Sequence, residues 1–264
     1  MNITQIFEVV AIFLVPFLVV LIPVYIGRRY GTYHIKKSGE LKNAPVGTVV
    51  AAAFGTLAFF LAFVFQISAN RYNERKVLLL EEVTNIRRTY LQAGLLAEPI
   101  RSDTRRLLAE YVDLRVNMGK DKAKLNLAIS RSQQILDILW GYAETLAAQD
   151  RSSEVYSLFT TSLNDLVDNY NHRVTMALEY RIPAVILWIL FIVGFFSMLT
   201  LGYQFGISGN GSSRINVVLA FIFAVVMFLI ISLDRPELGI AKLNQKPLLT
   251  LQKQLQAEHF SLGK

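Results

Sequence analysis

The residues whose types and spacing could do chemistry lie between Phe59 and Arg88. The stretch "FVFQISANRYNERKVLLLEE", residues 63 to 82, starts as membrane-type sequence and ends as a charged helix surface. No Pro, Gly or turn cluster interrupts it. Its crossover is rich in side chains that can line or flank a polar path. Gln66 and Asn70 are four apart, so both carboxamides fall on one helix face. Arg71 and Glu74 are neighbours at i, i+3, and Arg71 and Arg75 at i, i+4. This group suits either an ion-attracting vestibule with an intersubunit network, or an interfacial anchor laced with weak salt bridges. Glu81, Glu82, Asn85 and Arg88 carry the same pair of readings, with the surface salt bridge the plainer one. A second small group, Asp234-Arg235-Pro236, reads as a span stop with a local ion pair. Glu8 lies near the start of the first apolar run, where a carboxylate can reach the interface or couple to a proton.

Other chemistry has little material. There is no cysteine, which excludes disulfides, thiolate metal sites and cysteine nucleophiles. His34, His172 and His259 stand far apart in sequence. No HExxH, P-loop or GxSxG occurs. No catalytic residue, metal site or cofactor is expected, and an enzyme is the weakest reading.

The elements that position these residues follow from composition. Hydrophobic residues make up 53% of the 264, and mean hydropathy is +0.39. The excess is concentrated in four apolar runs, at about 6–26, 46–67, 183–203 and 217–233, each long enough to cross a bilayer as a helix. The first contains Pro16 and Pro23, tolerated in a transmembrane helix, and lacks the basic start of a signal peptide. The second opens with Gly47, Ala51, Ala52, Ala53 and Gly55, small residues that permit close helix packing in lipid. Phe54, Phe59, Phe60, Phe63 and Phe65 follow.

About 115 residues separate the second and third runs, polar overall but patterned at helical spacing. Pro99 ends the helix that continues the second span, and Ser102 or Asp103 caps the next. Helices follow to about Met118, from about Asp121 to Gln149, and from Ser153 onward. The last runs into the third span at Arg181-Ile182-Pro183. The expected divisions are 1–67, 68–182, 183–233 and 234–264. They comprise two spans, a helical domain continuous with spans two and three, two further spans, and a tail. The fold class is all-α, a polytopic membrane protein.

Net charge is +7. In such a chain this fits orientation and anionic lipid rather than nucleic acid. Near the spans, Lys and Arg number eleven on the side of the large domain and termini against six on the other. The positive-inside rule then puts domain and termini in the cytoplasm, in a bacterial inner membrane.

From Ala44-Pro45 to Tyr90 the sequence resembles bacterial bestrophin channels. The matching stretches are "APVG", "FFLAF" and "ANRYNERKVLLLEE", and "LDRPELGIAKLNQKPLLTL" follows the fourth span. The whole chain resembles an uncharacterised bacterial family described as bestrophin-like domains of unknown function. The resemblance implies a homo-oligomeric, pentameric channel for monovalent ions, with the second span of each subunit lining the pore. It implies a neck at Gly55, Phe59 and Phe63, and a vestibule at Gln66, Asn70 and Glu74. Arg71, Arg75, Asp234 and Arg235 would form an interfacial network, with a tail belting the neighbouring subunit. Two departures stand out. Gly55 cannot make a bulky ring. Asp234 and Glu237 alone do not supply the oxygens a calcium site needs. The rival reading is a membrane-anchored sensory or interaction scaffold acting through its helical domain. The partners implied are the chain itself, membrane lipid and monovalent ions, and not nucleic acid.

Overall fold

The computed structural model describes residues 3–38, 45–117, 122–178, 181–209, 213–235, 241 and 243–262. Among them are eight helices and no strand: α1 (Ile3–Ser38), α2 (Val46–Ala93), α3 (Ile100–Asn117), α4 (Lys122–Gln149), α5 (Glu154–Leu178), α6 (Ala184–Ser208), α7 (Ser213–Asp234) and α8 (Lys246–Leu262). Four of them, α1, α2, α6 and α7, are long and apolar enough to cross a membrane. The protein is an integral membrane protein. Met118, Gly119, Asp121, Pro236 and Glu237 lie outside the described residues, as does the side chain of Glu8.

The chain forms two compact units, residues 1–73 with 181–242, and residues 74–180 with 243–264. α2 belongs to both, because its 48 residues contain neither Pro nor a turn cluster. The expected continuity of the third span with the helix before it does not hold. Residues 181–183 are not helical, and α6 opens at Ala184. Pro183 has no N–H to continue an upstream helix and disfavours the α region for Ile182.

In the first unit the closest packing is between α1 and α6, through glycine. Gly27 and Gly31 on α1 face Gly202 and Gly206 on α6. A Cβ on Gly202 would stand 2.2 Å from the Val24 carbonyl oxygen, and one on Gly27 2.1 Å from that of Leu199. Backbone therefore meets backbone, the arrangement that lipid-embedded helices use to gain van der Waals contact. Of the small residues expected to do this at the start of α2, only some meet α6: the Ala53 carbonyl accepts from Ser197, and a Cβ on Gly47 would stand 3.5 Å from the Gln204 side chain. Ala51, Ala52 and Gly55 are exposed, and a Cβ on Gly55 would meet nothing within 4 Å. Around the glycine seam, Val20, Val24, Leu57, Val64, Leu190, Met198, Phe223 and Met227 form the core.

The second unit is packed by large side chains. Leu107, Leu108, Tyr111, Leu136, Leu139, Phe159, Leu163 and Leu166 are all but fully buried. α8 adds Leu248, Leu251 and Leu255, a stripe at three- and four-residue spacing, to this same core. Its Gln252 side chain donates to Asp113 Oδ1 at 2.7 Å. The tail helix expected to belt a neighbour therefore uses its apolar stripe within its own chain. α3 starts two residues before the expected cap. Glu98, not Ser102 or Asp103, accepts an orphan amide, that of Ser102 at 3.1 Å. Ser153 caps α5, its Oγ accepting from the Tyr156 amide at 3.4 Å.

Candidate functional site

α2 presents one exposed face along most of its length. Gly55, Phe59, Phe63, Gln66, Asn70, Glu74, Val77, Glu81, Thr84 and Arg88 are all exposed. At 100° per residue they fall within an arc of about 100°. The face changes chemistry along the helix. Phe59 and Phe63 come first, 67% and 53% exposed, with rings stacked at 6.5 Å between centroids. The carboxamides come next, Gln66 Nε2 donating to Asn70 Oδ1 at 2.7 Å. The carboxylates of Glu74 and Glu81 follow. Arg88 closes the series, but its charge is matched by Asp165 of α5 at 3.0 Å.

The opposite face fixes this orientation. Leu57, Val64 and Ser68 are buried, the Ser68 hydroxyl donating to the Val64 carbonyl. Ser197 of α6 donates to the Ala53 carbonyl at 3.1 Å. Arg71 and Arg75 are half-buried. Arg71 Nη1 lies 3.9 Å from Asp234 Oδ1, which also accepts from the Ile182 amide at 3.2 Å. One carboxylate thus ties α2 to the end of α7 and the start of α6. The expected neck and vestibule residues share one face, and Arg71 meets Asp234. Glu74 does not pair with Arg71, which turns to Asp234 instead. Arg235 is exposed at the end of α7.

A buried cluster in the second unit was not foreseen. Glu82 was read as a surface residue, yet it is 0% exposed. Its Oε1 accepts from Tyr111 Oη at 2.8 Å and pairs with Arg115 Nε at 2.8 Å; Oε2 meets Arg173 Nη1. Burial pushes the Tyr111 phenol up to about 12, with Arg115 opposing. Burial lowers Arg173 to about 10, which leaves it charged at neutral pH. The signal was present in the sequence: Leu79, Glu82, Ile86 and Tyr90 share one three- and four-residue phase, so Glu82 occupies a core position. Among the described residues no group of His, Asp and Glu is placed to hold a metal.

The Bestrophin-like domain model matches residues 14–248. Two solved point mutants of a bacterial bestrophin homologue from Klebsiella pneumoniae share the fold, each at TM-score 0.67. One is 17% identical, covering 95% of this chain and 98% of its own. The other is 16% identical, covering 92% and 97%. A crystal structure described only as a membrane protein aligns over 97% of this chain and 98% of its own, at 16% identity and TM-score 0.63. No curated protein matches the chain in sequence.

Proposed function

The chain belongs to the bestrophin-like family, and on that premise we propose that it is a pentameric ion channel, not an enzyme. Its conduction path runs along the exposed face of α2, in a bacterial inner membrane with termini and large domain cytoplasmic. The observation that carries this reading is the order of side chains on that face. A lipid-facing helix has use for Phe59 and Phe63 but none for Gln66 and Asn70 in the same line. Around an axis, five copies would give apolar rings, then carboxamide rings, then carboxylates. Apolar rings gate by dewetting. Carboxamides replace lost hydration for an ion of either sign.

The sign of the permeant ion follows from the charges on the face rather than from the net charge of +7. Glu74 and Glu81 lie on it, Arg88 is matched by Asp165, and Arg71 lies against Asp234. Local carboxylates raise the concentration of monovalent cations at the mouth. Reconstitution in a planar bilayer tests the whole reading. Phe63→Ala is expected to raise single-channel conductance severalfold. Under a salt gradient, wild type should reverse near the cation potential, and Glu74→Gln with Glu81→Gln should move reversal toward zero. A silent protein, or an assembly with α2 away from its axis, overturns the channel.

The second reading, a membrane-anchored scaffold, draws on exposed apolar side chains of the polar unit, Leu95 at 62% and Leu127 at 72%. A silent assembly that loses a bound protein partner on Leu127→Glu would favour it.

A further inference from the structure

We propose that Asn169 of α5 is a positioning residue for ion selection, its buried carboxamide holding the Glu81 carboxylate in place on the exposed face of α2. This role rests on that face being the conduction path, and it brings a second helix into the choice of ion. Asn169 is only 5% exposed. Its Nδ2 donates to the Leu78 carbonyl at 3.2 Å and to Glu81 Oε2 at 3.5 Å. Only this orientation of the amide serves both, since the reverse would set Oδ1 against two acceptors.

Packing alone does not call for an amide here. The Leu78 carbonyl lies inside α2, where it already accepts from the amide four residues on. Asn169 Oδ1 is buried with no hydrogen-bond partner among the described residues. A half-satisfied buried amide costs more than an apolar side chain of its size, and Leu163 and Leu166 of α5 fill the same core. The seam between α2 and α5 has other polar ties that involve no charge. Asn85 Nδ2 donates to the Asp165 carbonyl at 3.1 Å, and Thr89 Oγ1 to the Ser162 carbonyl at 3.1 Å. Both run from α2 to the backbone of α5. Asn169 runs the other way and reaches a carboxylate. At 100° per residue, Glu81 lies about 60° around α2 from Leu78, which meets α5. Glu81 thus stands at the edge of the exposed face, where an unheld carboxylate sweeps between the seam and the open side. Bonded to Asn169, it keeps one position. Five copies would then present charge at a fixed radius, and Coulombic attraction depends on that distance. Sites that discriminate hold their contacting groups through supporting hydrogen bonds from rigid elements.

Planar-bilayer recordings across a potassium chloride gradient test this role. Asn169→Leu should lower the cation-over-anion permeability ratio about threefold. On a Glu81→Gln background the same substitution should change nothing further, whereas on Glu74→Gln it should act in full. A merely structural role would move the ratio equally on both. Glu81→Asp keeps the charge but draws it one methylene back, and it should lower the ratio as Asn169→Leu does. Glu81 is exposed, so this variant carries the test if Asn169→Leu fails to fold. A wild type that passes no current overturns the conduction reading and this role with it. With a cation-selective wild type, the role alone is overturned by a ratio unmoved in Asn169→Leu or in Glu81→Asp. An equal loss from Asn169→Leu on the Glu81→Gln background overturns it too.

Discussion

In the unit that carries most of the apolar spans, α1 and α6 meet through glycine; in the polar unit, α2, α3 and α5 meet around a carboxylate. The solvents explain the difference. In lipid, bringing two apolar helices together removes no surface from water, so attraction must come from close backbone contact. Gly27, Gly31, Gly202 and Gly206 supply it. In water, burying Leu107, Leu136, Phe159 and their neighbours supplies the driving force directly, at about 25 cal/mol per Å² of apolar surface. That larger force can carry a liability, and Glu82 with Arg115 and Arg173 is one. A buried ion pair rarely adds net stability, but breaking it is costly. The first unit should thus fail on added volume, and the second on lost charge.

Gly202→Leu should give the largest effect. Its side chain would enter the Val24 backbone, which cannot yield as a side-chain end can. The expected outcome is no monodisperse protein on size-exclusion chromatography. Gly141→Ala is the control: α4 has open space there. A helix-interior Gly replaced by Ala should stabilise by about 0.5–1 kcal/mol. If both variants behave alike, glycine is not the basis of the α1–α6 seam.

Glu82→Gln comes next. It leaves the buried Arg115 and the half-buried Arg173 guanidinium groups facing a neutral amide, an expected loss of about 3–5 kcal/mol in denaturant unfolding of the second unit. Replacing Glu82, Arg115 and Arg173 together by Leu or Met should recover most of it. A triple variant as unstable as the single one would mean that packing, not charge, is at fault.

How much of this contrast was legible depends on the range of the interaction. The four spans, the unbroken α2 and the helices of the polar unit were readable because hydrophobic periodicity is local. The shared face of Phe59, Phe63, Gln66 and Asn70 was readable for the same reason. The Gly27–Gly31 and Gly202–Gly206 pairs were not singled out, because each needs its distant partner to acquire meaning. Glu82 was misread because it adjoins Glu81, and the two looked like one solvated patch. Only the helical phase separates them. The break before α6 was misjudged although Pro183 marked it, because the apolar pattern on either side is continuous. Small residues at the start of α2 pointed to close packing, yet Ala51, Ala52 and Gly55 are exposed in the subunit, since composition shows what a helix permits and not what it meets.

Tyr111→Phe should cost roughly 1.5–3 kcal/mol at neutral pH, the worth of a hydrogen bond to a charged group. Its pH dependence is more telling. The phenol titrates near 12 when folded and near 10 when unfolded. Between those values the folded state holds a proton that the unfolded state has released, so stability falls as pH rises. The contribution is whole below about pH 10 and gone above about 12. Arg173 acts in the opposite sense. Folded it titrates near 10, so above that pH it sheds a proton the unfolded chain still holds, and stability rises. The difference between wild type and Tyr111→Phe isolates the phenol. Wild type should lose its advantage across that window, and parallel curves would remove Tyr111 from the cluster.

The smallest effect should come from the same chemistry placed in water. Arg131 grips Glu110 with two bonds, Nε to Oε1 at 2.7 Å and Nη2 to Oε2 at 3.1 Å. The Glu110 carboxylate holds the Arg131 guanidinium above its ordinary value, through the hydrogen bond first and the charge second. Its geometry matches that of Arg115 on Glu82 or betters it. Yet the Arg131 and Glu110 side chains are 41% and 35% exposed. Water therefore solvates either charge when its partner is gone, and salt screens the pair when both are present. Glu110→Gln should leave the melting temperature within the scatter of the measurement, at low and high salt alike. Glu82→Gln should lower it steeply and independently of salt. If Glu110→Gln instead matched Glu82→Gln, bond geometry would govern the polar unit, and the burial of Glu82 would not be what separates it from the surface pairs.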